Sequence, residues 1–212
     1  MARDVHIAVF TRAPVRGEVK TRLAAAVGND EALATHVELL ESTLAACAGV
    51  RAASVELWVA GDPGVAELTS LAQRFGVALQ QQRGRDLGQR MLHAVSHHTS
   101  RGRACIVVGS DIAALETRHV QDAVQALDEG ADVVLGPAED GGYWLIGLNH
   151  AHATLFEDIP WSTDRVLART LQRAAAGLKV VEVATLWDVD DEDDWRRWRA
   201  VRPASPPSTT CG

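Results

Sequence analysis

The sequence predicts an α/β fold: a three-layer sandwich around a mixed, mostly parallel sheet. Three observations lead there. Short apolar runs alternate with stretches of helical period along almost the whole chain. One run, ACIVVG at 104–109, is apolar without interruption, the pattern of a strand covered on both faces. The segments between runs suit right-handed crossover helices. With 212 residues there is material for one sizeable core, so 1–201 reads as a single domain. The tail at 202–212, rich in Pro, Ser and Thr, is expected to be flexible.

The elements follow in order. Residues 5–10 form the first strand, 11–19 with Pro14 and Gly17 a loop, and 20–27 the start of a helix. Asn29 or Asp30 caps an amphipathic helix to about residue 48, with Leu33, Val37, Leu40 and Leu44 on one face. A strand at 55–60 closes in the Gly61-Asp62-Pro63-Gly64 turn and is followed by a helix at 65–75. A short strand at 77–80 leads to GRDLGQRM, 84–91, which opens a helix reaching about residue 100. After the strand at 104 come a helix at 117–129, a strand at 133–135 and a strand at 143–148 introduced by Gly141 and Gly142. A helix at 164–176, a strand at 179–183 and a helix at 191–201 complete the chain. His93, His97 and His98 have helical spacing but no glutamate at the spacing of a zinc protease, so they read as helix surface. Trp195 and Trp198 read as packing residues.

Composition narrows the function. Apolar and charged fractions of 47% and 23% are ordinary for a globular protein. A net charge of −7 disfavours broad binding to nucleic acid or an anionic membrane. No run reaches the ~20 apolar residues of a membrane helix, and the first ten residues lead straight into a strand, so a cytoplasmic location is expected. Cys47, Cys105 and Cys211 are odd in number and far apart, which fits a reducing compartment rather than a disulfide frame.

Against that acidic background, Arg12, Arg16, Lys20 and Arg22 crowd the loop after the first strand. Lys20 is one of only two lysines, and a compact ammonium suits a phosphate oxygen. The loop is either an anion site at a helix start or a solvated basic surface. It is no Walker P-loop, because the spacing of Gly17 and Lys20 is wrong, and no GxGxxG follows the strand. Asp111 stands just past the buried strand, where ligands of open α/β sheets bind, unless it merely caps a turn. LWDVDDEDD, 186–194, concentrates acids that need neutralising. Asp191, Glu192 and Asp193 suit the start of the last helix. Asp188 and Asp190, with Asp111, form an oxygen set suited to Mg²⁺ or Mn²⁺. In GPAEDGGYWLIGL, 136–148, the glycines after Asp140 allow close backbone approach to a ligand, or simply a hairpin or bulge. IPWST, 159–163, is compatible with a staple and cap before a helix.

Taken together, these stretches resemble the bacterial transferase family of radical-SAM- or selenodomain-associated (arsenosugar-biosynthesis) glycosyltransferases, formerly a domain of unknown function. Its F-x-x-x-P-x-x-G-x-V-K-T-R-L loop is matched by Phe10, Pro14, Gly17 and Val19 to Leu23. D-L-G-x-R-M is matched at 86–91, G-S-D at 109–111, G-P-A-x-D-G-G-Y at 136–143, W-S-T at 161–163 and D-V-D at 188–190. The chain departs from it at Ile112-Ala113, where the family often has Cys-Pro, and at Gly109, which takes the first position of the Asp-x-Asp common in glycosyltransferases.

The resemblance implies a GT-A fold of the nucleotide-diphospho-sugar transferase type, akin to the phospholactate and molybdenum-cofactor guanylyltransferases. It implies phosphates near Arg12, Gly17, Lys20 and Arg22, and base or ribose near Asp86, Gly88 and Arg90. Gly136, Gly141, Gly142, Trp161, Ser162 and Thr163 would meet the substrate, and Asp111 with Asp188 or Asp190 would hold Mg²⁺ or Mn²⁺. Lys20, Asp111 and, as a base on the acceptor hydroxyl, Asp140 would carry the chemistry. The expected reaction is metal-dependent transfer of a sugar from a nucleotide diphosphate sugar to a small acceptor. The alternatives are nucleotidyl transfer from a nucleoside triphosphate to a phosphorylated acceptor, with pyrophosphate release, and nucleotide binding without turnover.

Overall fold

In a computed structural model, described here for residues 4–51 and 53–201, β1 (Val5–Arg12) is the spine of the sheet. It pairs in parallel with β2 (Ala53–Ala60) on one side and β4 (Ala104–Gly109) on the other. Adding β3 (Ala78–Gln81), β5 (Val133–Pro137), β6 (Tyr143–Leu148) and β7 (Val180–Glu182) gives a seven-stranded sheet in the order β3-β2-β1-β4-β6-β5-β7. The tail and Cys211 fall outside the described residues.

Seven helices flank the sheet among the described residues: α1 (Thr21–Val27), α2 (Asn29–Ala48), α3 (Ala66–Phe75), α4 (Leu87–Thr99), α5 (Thr117–Asp128), α6 (Val166–Ala174) and α7 (Glu192–Val201). Period-2 alternation sorts the strand side chains. Val5, Ile7, Val9, Ile106 and Val108 face one core layer with Leu40 and Leu44 of α2, Leu68 of α3 and Val120 of α5. Ala8, Phe10, Cys105 and Val107 face the other with Met91 and Val95 of α4 and Ala174 of α6. Each fully buried Leu, Ile or Val in these layers contributes about 1.5–3 kcal/mol. Trp198 packs with Leu39, Ala113 and Val189 in a smaller cluster that seats α7, while the Trp195 indole donates to Thr35 Oγ1 at 3.1 Å.

Three expectations are corrected, while the expected mixed, mostly parallel sheet is observed. The helix after Gly28 buries a wider face than Leu33, Val37, Leu40 and Leu44: Thr35, His36, Leu39 and Thr43 are also enclosed, because α7 and the 111–113 segment cover its second side. Gly28, rather than Asn29 or Asp30, occupies its cap position, with no side-chain cap. His98 is not on the helix surface but buried against β1 and β2. The sheet is mostly parallel, yet β6 runs antiparallel to both β4 and β5. Only residues 138–142 join β5 to β6, too few for a crossover, so the pair is a hairpin with an irregularity at Gly136/Pro137. Reversal of β6 delivers its first residues to the edge where β1 and β4 end.

Candidate active site

The C-terminal edge of the sheet carries a cavity of about 280 Å³ lined by Phe10, Val107, Gly109, Asp111, Asp140, Trp144 and Asp188, among others. Leu87 and Met91 of α4 and Trp161, Ser162 and Thr163 form more of its wall. A second, more polar cavity is lined by Arg22, Glu139, Asp190, Asp191 and Asp194, and shares Asp140 and Asp188 with the first.

Backbone pairing unites acids nearly eighty positions apart. Past β4 the chain lies antiparallel to 187–189: Ile112 bridges Asp188, Ala113 N–H donates to Trp187 O at 3.0 Å, and Val189 N–H donates to Asp111 O at 3.0 Å. The same segment is stitched to the β5 end by Leu186 N–H to Pro137 O and Glu139 N–H to Leu186 O, both at 3.0 Å. Asp111, Asp140, Asp188 and Asp190 therefore border one groove.

Lys20 pairs with two of these acids without itself lining either cavity. Its side chain is 3% exposed, and its Nζ lies 2.9 Å from Asp111 Oδ1 and 3.2 Å from Asp190 Oδ1. The residue occupies the left-handed region at φ 49 and ψ 43, just before α1. For a residue with a Cβ this costs about 1–2 kcal/mol, a penalty that the two ion pairs offset. Burial opposes its charge, but the two carboxylates outweigh burial and raise its pKa. Arg22 donates to Asp190 Oδ2, so Asp190 is clamped between two cations.

Asp111 has a second partner that sequence reasoning missed. His36, buried in α2, places Nδ1 3.6 Å from Asp111 Oδ1, while its Nε2 lies 3.2 Å from Arg12 O and 3.4 Å from Thr11 Oγ1. Because a carbonyl only accepts, the Arg12 contact favours a proton on Nε2. Ser110 Oγ extends the chain by donating to Thr11 Oγ1 at 3.1 Å. Burial would raise the Asp111 pKa, but the Lys20 ammonium, and after it His36, hold the carboxyl well below the usual range. Its Oδ1 is enclosed, whereas the side chain as a whole is 43% exposed and borders the cavity. Asp188 behaves oppositely: burial first, then the neighbouring Asp190 and Asp140, push its pKa up to about 6. This crowding marks where positive charge is still wanted.

The remaining expected site residues are placed as follows. Asp140 borders both cavities, and its Oδ1 accepts from Gly142 N–H at 2.8 Å within the β5–β6 hairpin. Gly142, Trp161, Ser162 and Thr163 line the first cavity. Gly141, at φ +87, lies against the backbone of Asp164, so its freedom serves the hairpin. Gly136 and Gly88 lie against indoles, those of Trp144 and Trp161. Asp86 caps α4, its Oδ1 accepting from Gln89 N–H at 2.8 Å, and Arg90 Nε donates to Gly84 O at 3.2 Å. Gly17 sits beside Asn29, and Arg12 is exposed at the end of β1 with its carbonyl on His36. Like Lys20, the expected residues Arg12, Gly17, Asp86, Gly88, Arg90, Gly136 and Gly141 line neither cavity.

A Cβ at position 88 would press on the Trp161 ring and the Phe156 carbonyl. Gly88→Ala is therefore expected to lower stability by about 1–3 kcal/mol and to change tryptophan emission. Denaturant titration checks this, and an unchanged midpoint contradicts it.

Comparison with known proteins agrees with this architecture. Residues 43–163 match the family model described as an uncharacterized protein conserved in bacteria, DUF2064. A provisional nucleotide-diphospho-sugar transferase from Desulfovibrio desulfuricans is 30% identical, with 96% of this chain and 90% of that one aligned at a TM-score of 0.85. A 4-diphosphocytidyl-2C-methyl-D-erythritol synthase from Anaerococcus prevotii shares the fold at 9% identity, covering 94% and 96% of the two chains at 0.63. Glucosyl-3-phosphoglycerate synthase from Mycobacterium tuberculosis, seen with Mn²⁺ and UDP, does so at 11% identity, covering 88% and 71% at 0.55. No curated protein sequence matches. No helix among the described residues is long and apolar enough to cross a membrane. A family model spanning more than half of the chain and a relative aligned along nearly all of it agree: the chain belongs to the DUF2064 family and has the nucleotide-diphospho-sugar transferase fold.

Proposed function

We propose that this chain is a glycosyltransferase that moves a sugar from a nucleotide diphosphate sugar to a small acceptor. The observation that carries the reading is the buried Lys20, held with Arg22 on Asp111 and Asp190, acids that border the two cavities at the C-terminal sheet edge. The name of the Desulfovibrio relative supports it, as does the resemblance of the motif series to the radical-SAM- or selenodomain-associated (arsenosugar-biosynthesis) glycosyltransferases.

Lys20 and Arg22 bind the diphosphate and offset the negative charge that gathers on it as the sugar departs. Both side chains already sit on carboxylates, so little reorganisation is needed. Tyr143, Trp144 and Trp161 give the cavity an aromatic wall suited to a sugar ring. Asp140, at the junction of the two cavities, takes the proton from the acceptor hydroxyl.

The donor set fits a hard divalent cation. Four carboxylates border the groove and Lys20 and Arg22 offset two; burial first, then Asp190 and Asp140, raise the Asp188 pKa. With Asp190 clamped by two cations, Asp188 is the more available ligand, joined by Asp140 or the cavity side of Asp111. When bound, Mg²⁺ or Mn²⁺ would supply charge stabilisation to the phosphate oxygens.

Gly109, where many glycosyltransferases have the first Asp of Asp-x-Asp, favours a second reading, nucleotidyl transfer with pyrophosphate release. A thermal-shift panel of UDP, GDP, CTP and GTP, with and without Mn²⁺, identifies the nucleotide by mass action. Nucleoside diphosphate release from a nucleotide sugar supports the first reading. Pyrophosphate release from a triphosphate supports the second. Binding without either product leaves a nucleotide-binding protein.

A further inference from the structure

The opposite edge of the sheet holds a different cluster. His6, the second residue of β1, lies roughly 17 Å along the strand from Thr11, taking about 3.3 Å per residue, and so far from the cavity. Beside it stand Glu56 of β2 and His98, near the end of α4. His6 and His98 are 2% and 3% exposed, and Glu56 is 18% exposed. Among the described residues this is the one trio whose ligand atoms all lie within 4.8 Å of one another.

Two features separate it from an ordinary buried hydrogen-bonded group. Both Nε2 atoms lie close to Glu56 Oε2, at 3.3 and 3.4 Å, yet neither is aligned to hydrogen-bond with it or anything else. Such orphaned buried nitrogens are costly. A tetrahedral ion with bonds of about 2.0–2.1 Å has ligand atoms about 3.3–3.4 Å apart, the separation of each Nε2 from Glu56 Oε2. Two of the three residues have outer contacts of the kind that orient metal ligands, while His98 Nδ1 has no hydrogen-bond partner. His6 Nδ1 is 2.7 Å from Ser54 Oγ, and the Trp58 indole donates to Glu56 Oε2 at 3.1 Å. Burial, foremost, pushes both imidazoles down to about 4, leaving each neutral with a lone pair at pH 7. The two rings stack in parallel at 3.5 Å, so a shared ion requires at least one to turn about χ2.

We infer that His6, Glu56 and His98 form a binding site for a borderline transition-metal dication, Zn²⁺ foremost, that ties α4 to β1 and β2 at the edge remote from the cavity. Two imidazoles and one carboxylate favour such an ion over Mg²⁺. Partial exposure of Glu56 leaves room for water as a fourth ligand.

The test uses EDTA-treated full-length protein titrated with Zn²⁺ by calorimetry, and with Co²⁺ by visible absorption. One equivalent with the ligand-field bands of four-coordinate Co²⁺ is expected. Glu56→Gln and His98→Ala should weaken that equivalent at least tenfold. Ser54→Ala, which removes only the support of His6, should weaken it about tenfold or more. Asp188→Asn should leave it unchanged, which separates this ion from one in the groove. Glu56→Gln is nearly isosteric, so it keeps the test valid if His98→Ala fails to fold. The inference is overturned if no equivalent binds more tightly than about 10 μM, or if Glu56→Gln binds Zn²⁺ as wild type does.

Discussion

Lys20→Met is expected to weaken binding of a nucleoside diphosphate at least tenfold and to cost about 2 kcal/mol of stability. The first figure follows from loss of a charge-assisted contact to phosphate, worth ~1.5–3 kcal/mol. The second is reduced from the ~3–5 kcal/mol typical of breaking a buried ion pair, because Asp111 and Asp190 are each at least a third exposed and water partly screens them. Loss of the ammonium also frees Asp111 from the main influence that depresses its pKa, so the carboxyl titrates closer to the ordinary range. Calorimetry with the nucleotide that scores best in thermal shift, together with urea unfolding, measures both effects. Wild-type affinity in a folded Lys20→Met protein would remove Lys20 from the phosphate site.

Asp188→Asn is expected to act in opposite directions on stability and on metal dependence. A carboxyl whose pKa is raised to about 6 on folding holds its proton more tightly in the native state. Its contribution to stability is complete below the unfolded value near 4 and is lost as pH rises through about 6. Metal-free wild type should therefore lose roughly 1–2 kcal/mol between pH 4 and pH 8 through this group, after allowance for solvent screening. The asparagine variant should lack that slope and be the more stable protein at pH 8. Under the same conditions it should lose most of the Mn²⁺-dependent gain in nucleotide affinity. Parallel stability profiles for the two proteins in EDTA, or undiminished Mn²⁺ dependence in the variant, would exclude Asp188 as the crowded ligand.

Much of this arrangement was legible in the residues. ACIVVG read as a strand buried on both faces, and Asp111 at its end stood where ligands of such sheets bind, unless it capped a turn. Lys20, as one of two lysines within an arginine-rich set of cations, already stood out. What stayed hidden depended on contacts distant along the chain. His36 looks like one polar interruption of a helix, and only the fold sets it against a carboxylate 75 positions away. His98 seemed solvent-facing because its partners, His6 and Glu56, come from strands and not from its own helix. Gly88 and Gly136 were expected near base or ribose and near the substrate, and the rings of Trp161 and Trp144 are what lies against them. Direction was the other blind spot: the aromatic run at 143–148 has the same composition whichever way it points, and only the brevity of 138–142 reverses it.

That reversal divides the cavity wall by origin. The cationic side comes from the loop after β1 and the acids of 188–190, drawn from both ends of the chain. The aromatic side comes from one contiguous passage, 138–166, that enters and leaves near the same place. On the proposed reading, altering the rings of this passage would change which sugar is accepted, while Lys20 and Arg22 lie outside it.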